Sequence, residues 1–446
     1  MQKNVLILGA GLVAQPIVRY LLEQNFKVTV ASNTPDRAEV MVNGNKNGVV
    51  INWSVNEEAK LEEMIENNDI VVSLLPFIFH LTIAKHAVKH KKSMVTTSYV
   101  RPEMLALDAE AKAANIIIIN ECGLDPGIDH MSAMRIIDHV HNKGGIVEEF
   151  YSLCGALPAP EEVDNPFGYK FSWSPKGVVL AGNYDARYLK KGKIVEVPTK
   201  NLFKDIFTLN IKGVGELNVY PNRDSLPYID IYKIPEAKTI FRGTFRYPGW
   251  CGAMDIIKEL KLITSEKIDF TGKTYADMIC MLIGTTDKTN LRKKTAAFLN
   301  IDETAAPLNN LEWLGLFEDK PMNRGIDTTY EITSDLMIEK MQLGENERDM
   351  IVLQHVFLTS YPDGSKEVIK SSMLDFGTIA TDTSVARTVA LPAAIAVKLI
   401  LENKIDAKGV YIPVIPEIYN PILDELKTLN IKLVEEYGLP LSEGIQ

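Results

Sequence analysis

Four cysteines in 446 residues, Cys122, Cys154, Cys251 and Cys280, are too few and too scattered for a disulfide framework. No CxxC pair exists to hold zinc. Cationic residues are also in the minority: 48 Lys and Arg against 58 Asp and Glu leave a net charge of −10. That balance argues against a chain-wide nucleic-acid footprint and gives no attraction to anionic membranes, but it leaves room for a local basic pocket. Histidines number seven. His86 and His90 have helical i, i+4 spacing but sit among lysines in VKHKK, and His139 and His141 would diverge on a helix, so no metal site is expected. No G-x-S-x-G elbow is present, which removes support for a Ser–His–Asp hydrolase. No apolar stretch approaches a membrane span, and the apolar part of MQKNVLILGAG is too short for a signal peptide. No internal repeat or low-complexity linker is evident. The expectation is a reduced, cytoplasmic, soluble protein.

What is present is an ordinary globular composition, 46% apolar and 24% charged, in a chain long enough for two or three domains. Short β-branched runs recur in the first third: VLIL, VTVA, VVIN, IVVSLLP, MVTTS and IIII. Near-continuous apolar strands separated by segments long enough for one helix each imply a parallel sheet covered on both faces. Directly after the first run, Gly9, Gly11 and Ala14 spell GxGxxA. Gly9 permits the tight turn, Gly11 lets backbone approach a pyrophosphate, and Ala14 allows close helix–strand packing. The second run ends in Ser32, Asn33 and Thr34 with no acid to bind a ribose 2′-hydroxyl. Arg37 follows one turn later, so NADP is favoured, with NAD open.

After His130 the pattern changes to mixed strands and loops, with strands around GELNVYPNRD and TIFRGTFRY. Residues 265–343 look mainly helical, and a hairpin follows with its turn at Pro362, Asp363 and Gly364. SVARTVALPAAIAVKLILEN reads as one long apolar helix that Pro392 should kink. NIKLVEEY is a plausible last strand, and the C-terminal tail is expected to return to the first domain.

Residues Asn120 to His130, NECGLDPGIDH, place two glycines, a proline and four acidic or imidazole groups immediately after a greasy strand. Pro126 and Gly127 supply a turn, and Asp129 is a plausible N-cap for the next helix. That reading does not require Glu121, Asp125 or His130. Ligands bind outside the carboxyl ends of such strands, and SYVRP, with Ser98 and Tyr99, shares that rim. The loop from Cys154 to Gly177 is long, aromatic and irregular, as binding loops are. Phe171 and Trp173 in it suit core packing equally well. Arg223, Arg242 and Arg246 are forks suited to a substrate carboxylate, although any single arginine is more often a surface charge.

Taken together, LGAGLVAQP, SLLPFIFH, TTSYVRP, NECGLDPGIDH, CGALPAPEEVDNPFGYKFSWSPKGV, YPNRDS and FRGTFRYPGW resemble the saccharopine reductases, that is, saccharopine dehydrogenases of the NADP-dependent, L-glutamate-forming type. The resemblance covers essentially the whole chain. It implies an α/β protein with a Rossmann domain (residues 1–120 and 385–446) completed by the C-terminal segment. It further implies a mixed α/β substrate-binding and dimerisation domain (121–264 and 344–384) and a small helical insertion (265–343).

The resemblance also implies interconversion of saccharopine with L-glutamate and 2-aminoadipate 6-semialdehyde, with NADP as cofactor, in a homodimer without nucleic-acid or membrane partners. Cofactor contacts are then expected at Gly9, Gly11, Leu12, Val13, Ala14, Ser32, Asn33, Thr34, Ser54, Leu75, Ser98, Tyr99, Leu124, Asp125, Pro126 and Ser174. Substrate contacts are expected at Ser98, Tyr99, Trp173, Arg223 and Thr244, with Arg223 the first choice for a carboxylate. Asp125, Tyr99 and Cys154 are unranked candidates for proton transfer. One departure is that family members often carry an arginine where this chain has Ser32-Asn33-Thr34, which keeps NAD in play. No second catalytic domain is present, as expected of a stand-alone reductase. The rivals are a related dehydrogenase of another N-linked amino acid or carboxylated polyamine, and a nucleotide-sensing protein without turnover.

Overall fold

The structure is a computed structural model that describes residues 2–445. The chain forms two compact units, Met1–Val147 with Leu358–Gln446, and Glu148–Phe357.

In the first unit each β-branched run becomes a strand: β1 (Asn4–Leu8), β2 (Lys27–Ser32), β3 (Gly48–Asn52), β4 (Ile70–Ser73), β5 (Ser93–Thr96) and β6 (Ile117–Ile119). All pair in parallel, in the order β6-β5-β4-β1-β2-β3. Most of these residues are fully buried, as strands covered on both faces must be. Leu6, Leu8, Ile118 and Met94 join Trp53, Ile83 and Ala111 in one apolar cluster. The order reverses between β1 and its neighbours β2 and β4. This switch point opens a crevice at the strands' carboxyl ends.

The second unit begins along β7 (Ile146–Pro158), followed by β8 (Ala186–Lys190), β9 (Lys193–Val197), β10 (Phe207–Ile211), β11 (Gly215–Pro221) and β12 (Thr239–Arg246). β10, β11 and β12 are antiparallel neighbours, while β12 runs parallel to β7. Residues 265–343 belong to this unit and are mainly helical, as expected. The helix Tyr275–Ile283 begins with a capping box between Thr274 and Asp277. A small ribbon of β13 (Lys267–Asp269) and β14 (Ile326–Thr328) interrupts the helices. β15 (Asp349–Ser360) closes the unit.

The chain then turns at Tyr361–Ser365, with Gly364 at φ +85°, into β16 (Lys366–Phe376), which is the hairpin read from the sequence. The apolar helix runs unbroken from Ser384 to Leu401, through Pro392. Contrary to the sequence expectation, this helix is long and apolar enough to cross a membrane. However, 72% of it is buried in the protein, as in a core helix. The returning tail does complete the nucleotide sheet, through the three-residue β17 (Gly409–Tyr411) paired in parallel with β6. The expected last strand forms as β18 (Val434–Leu439) and pairs with β16 instead.

Candidate active site

The GxGxxA turn shows why its first two glycines are not equivalent. Gly9 has φ +106°, and a Cβ there would lie 3.3 Å from Leu75 Cδ2 and 3.4 Å from the Leu74 backbone. A Cβ on Gly11 would meet nothing within 4 Å, so the backbone there faces open space. Leu12 is exposed, Val13 half-buried and Ala14 fully buried, where the helix Gln15–Glu23 starts. The positive end of that helix and the open Gly11 backbone fit a pyrophosphate. Ser32 is buried and its hydroxyl lies 2.9 Å from that of Thr34, while Asn33 and Thr34 are exposed. Ser32, Asn33 and Thr34 put no acid where a ribose 2′-hydroxyl would be bound, and the exposed Arg37 lines a shallow depression together with Gln15 and Asp36. Ser54 follows β3, half-buried, its N–H on Glu57 Oε1 at 2.8 Å.

At the carboxyl ends of β4, β5 and β6 a denser arrangement forms. Of the residues from Asn120 to His130, only Asp125 is not buried. Gly127 has φ +149°, and a Cβ on it would collide with Gly123 O at 2.0 Å, so glycine is obligatory there. Gly127 is therefore the residue flanking the helix Ile128–Asn142, and the N-cap role expected for Asp129 is corrected. Asp129 lies inside the first turn, fully buried, its Oδ1 accepting the Gly127 N–H at 2.6 Å. Leu124 and Pro126 are buried beside it, and burial pushes the Cys122 thiol up, out of the reactive range. Asp125 projects to meet Tyr99, whose hydroxyl donates to Asp125 Oδ1 at 3.2 Å. A carboxylate joined to a phenol at a sheet rim can take up and return a proton.

Ser98, next to Tyr99, is anchored by a residue that had no role assigned from sequence. His80 Nε2 lies 2.9 Å from Ser98 Oγ and 3.2 Å from Thr96 Oγ1, and His80 Nδ1 lies 2.9 Å from Ser73 Oγ. Burial lowers the imidazole pKa to about 4, so the ring is neutral, with one nitrogen accepting and the other donating. The folded ring thus holds its proton less tightly than an unfolded histidine near 6.5. Its contribution to stability is complete above pH 6.5 and is lost as the pH falls toward 4. Between pH 7.5 and 5.0 the wild type should lose about 2 kcal/mol more than His80→Gln, read from urea midpoints. Superimposable pH dependences would refute it.

The second unit presents its own set. In register, Tyr220 of β11, Thr244 of β12 and Cys154 of β7 lie side by side, so their side chains share one face. Arg246, two residues beyond Thr244, is on that face too. It is 4% exposed and sits in an aromatic cage, 4.9 Å from the Tyr169 ring, 5.3 Å from Trp250 and 5.9 Å from Tyr220. Its Nη1 donates to the Phe245 carbonyl at 2.8 Å, and no ion pair with a carboxylate is found for it among the described residues. Arg246 Nε, Tyr169 Oη, Ser172 Oγ and Trp173 Nε1 are buried without a hydrogen-bond partner. Tyr169 stands against Arg246 and Trp173 beside Tyr169, and such a group of orphans marks a place where a polar ligand belongs. Burial raises the Tyr169 and Tyr220 hydroxyl pKa values, while the Arg246 charge pulls them back.

Of the expected substrate contacts, Arg223 is exposed on the turn after β11, at φ +55°, its guanidinium 4.6 Å over the Tyr184 ring. Trp173 is half-buried and Ser174 exposed, whereas Phe171 is core, packed edge-on against Tyr169. Arg242, two residues before Thr244, shares its face and is engaged there: it donates to the Tyr228 hydroxyl at 2.8 Å and stacks on that ring. The loop carrying Tyr169 is pinned, because Lys170 pairs with both Asp164 and Glu347.

Two family models divide the chain: residues 5–119 match the saccharopine dehydrogenase NADP binding domain, and 123–431 the saccharopine dehydrogenase C-terminal domain. The curated saccharopine dehydrogenase [NADP(+), L-glutamate-forming] of Pyricularia oryzae is 38% identical over 99% of both chains. The enzyme of the same name from Saccharomyces cerevisiae is also 38% identical over 99% of both. A solved structure of the L-Glu-forming saccharopine dehydrogenase from Saccharomyces cerevisiae superposes with a TM-score of 0.90 over 98% of this chain and 99% of that one, at 37% identity.

Proposed function

Because the chain belongs to the saccharopine dehydrogenase family, we propose that it interconverts saccharopine with L-glutamate and 2-aminoadipate 6-semialdehyde, using NADP, in lysine metabolism. The observation that carries this is the unpaired Arg246 in its cage, beside orphaned polar atoms, on the same face as Thr244 and Cys154. A substrate with three carboxylates needs buried cationic anchors even in an acidic chain. Arg246 receives one carboxylate, with Tyr169 and Trp173 supplying donors beside it. Arg223, beyond the other end of the Tyr220–Thr244–Cys154 row, receives another and stays partly in water.

Gly9 to Ala14 and the Ser32–Thr34 rim would hold NADP, which when bound would supply the hydride acceptor for the carbon bearing the secondary amine. The protein's own work is proton handling and orientation. Asp125 and Tyr99 receive the amine proton and later return one to the departing nitrogen as the imine is hydrolysed, and Cys154 belongs to the substrate-binding strand set of the second unit. Ser98, fixed by His80, orients the reacting nitrogen. We further propose that the protein acts as a cytoplasmic homodimer, which sedimentation at micromolar concentration tests.

The deciding experiment is absorbance at 340 nm with saccharopine and either NADP or NAD. NADP reduction with a clear preference over NAD is expected, and no absorbance change with either cofactor would end this reading. In the same assay Arg223→Ala should raise KM for saccharopine about tenfold, with kcat within about threefold, since a half-solvated anchor contributes mainly to uniform binding.

A further inference from the structure

Tyr99 is held from three directions, and two of them come from one buried acid. Its hydroxyl donates to Asp125. The peptides on either side of it are both tied to Glu121: the Glu121 N–H donates to the Ser98 carbonyl at 3.0 Å, and Glu121 Oε1 accepts the Val100 N–H at 2.8 Å. This double grip is made from a left-handed backbone, φ +56°, which a non-glycine residue adopts only where its surroundings enforce it. The other oxygen, Oε2, lies 2.7 Å from His130 Nε2, and the two side chains are 6% and 0% exposed.

A carboxylate held out of water is unfavourable unless each oxygen is matched, and here both are. Stability alone gives no reason for the pair, since well-packed apolar residues serve a core at least as well. Its contacts are specific in another way. Glu121 and Asp125 lie four residues apart on one closed turn, sealed by Gly123 N–H on Pro126 O and Cys122 N–H on Thr96 O, both at 3.1 Å. One short segment therefore fixes the backbone of Tyr99 through Glu121 and its hydroxyl through Asp125.

We infer that Glu121, buttressed by His130, is a positioning residue that clamps Ser98 and Val100 so that the Tyr99 hydroxyl rests on Asp125. It acts through Tyr99 and, being buried, touches neither substrate nor cofactor. The kinetic form of the inference rests on the saccharopine reading; the geometric form does not.

A double-mutant cycle between Glu121→Ala and Tyr99→Phe separates positioning from general destabilisation. Glu121→Ala should lower kcat about a hundredfold, as a misplacement near 1 Å can, with the NADPH dissociation constant changed less than about threefold. In the Tyr99→Phe background the same change should lower kcat less than about threefold, because there is no hydroxyl left to misplace. Glu121→Gln, which keeps an oxygen for the Val100 N–H, should return activity to within about fivefold of wild type. Equal losses in both backgrounds would overturn the inference. If Glu121→Ala does not fold, His130→Asn takes its place in the cycle with the same pattern expected. If the wild type does not turn over saccharopine, the functional reading fails, and crystal structures of these variants decide the inference. A Tyr99 hydroxyl still within hydrogen-bond distance of Asp125 would overturn it.

Discussion

Arg246→Met is expected to lower kcat/KM for saccharopine about a thousandfold while the melting temperature of the ligand-free protein stays level or rises. The two halves have one cause. Arg246 is buried, always charged, and faces three aromatic rings rather than a carboxylate. In the free protein that charge is a desolvated group offset only by ring contacts and one carbonyl, so an apolar side chain of similar length removes a liability. With substrate bound, the same charge acquires its partner in a water-poor cage. Removing one side of a buried charge pair costs about 2–5 kcal/mol, or roughly one and a half to three and a half orders of magnitude. Arg246→Lys should recover only part, since an ammonium cannot reproduce a bidentate fork. Thermal melts beside saccharopine kinetics check both halves, and a melting temperature many degrees lower in Arg246→Met would show that the charge is satisfied within the protein.

The second large effect separates the two glycines of the dinucleotide turn. Gly11→Val should leave folding intact and weaken NADPH binding at least a hundredfold. Gly11 avoids the left-handed region and has nothing within 4 Å of an added Cβ, so the free protein accepts a side chain there. The new methyls would then occupy the path of the pyrophosphate and remove its approach to backbone N–H groups. Two charge-assisted bonds lost, at about 1.5–3 kcal/mol each, account for that magnitude. Gly9→Ala should behave differently: at φ +106°, with the Leu74 backbone 3.4 Å from the new atom, the fold itself is destabilised. Calorimetric NADPH titration together with urea unfolding of both variants is the measurement. Wild-type affinity in Gly11→Val would remove the turn from the cofactor site.

The sequence carried most of this fold because its strongest signals are local. Six apolar β-branched runs are read as buried parallel strands wherever they occur, and the Pro–Asp–Gly turn dictates its hairpin. β17 was not legible: three residues, Gly409–Tyr411, have no periodicity, and only the open edge of β6 makes them a strand. The site divides in the same way. Asp125, Tyr99, Ser98 and the turn glycines stand at positions that the βα pattern fixes in advance. The arginines do not. Arg223 ranked ahead of Arg246 because sequence shows neither burial nor neighbours, and it is the cage of Tyr169, Tyr220 and Trp250, assembled from distant segments, that distinguishes Arg246. His80 ends the SLLPFIFH stretch, where the sequence shows no role for it. A lone polar residue just after an apolar loop was its only signal, and the hydroxyls that make it meaningful are contributed by β4, β5 and the loop after β5.

The segment Asn120–His130 is closed to solvent at every position but one. Its tolerance to substitution should follow suit in a saturation screen. Most changes at Gly123, Leu124 and Gly127 are expected to be lost from the soluble fraction, because the turn leaves no room for them, whereas variants at Asp125 accumulate as folded but inactive protein. A screen scored for abundance alone would therefore rank Asp125 among the most permissive positions of that stretch, although it is the residue the chemistry cannot spare.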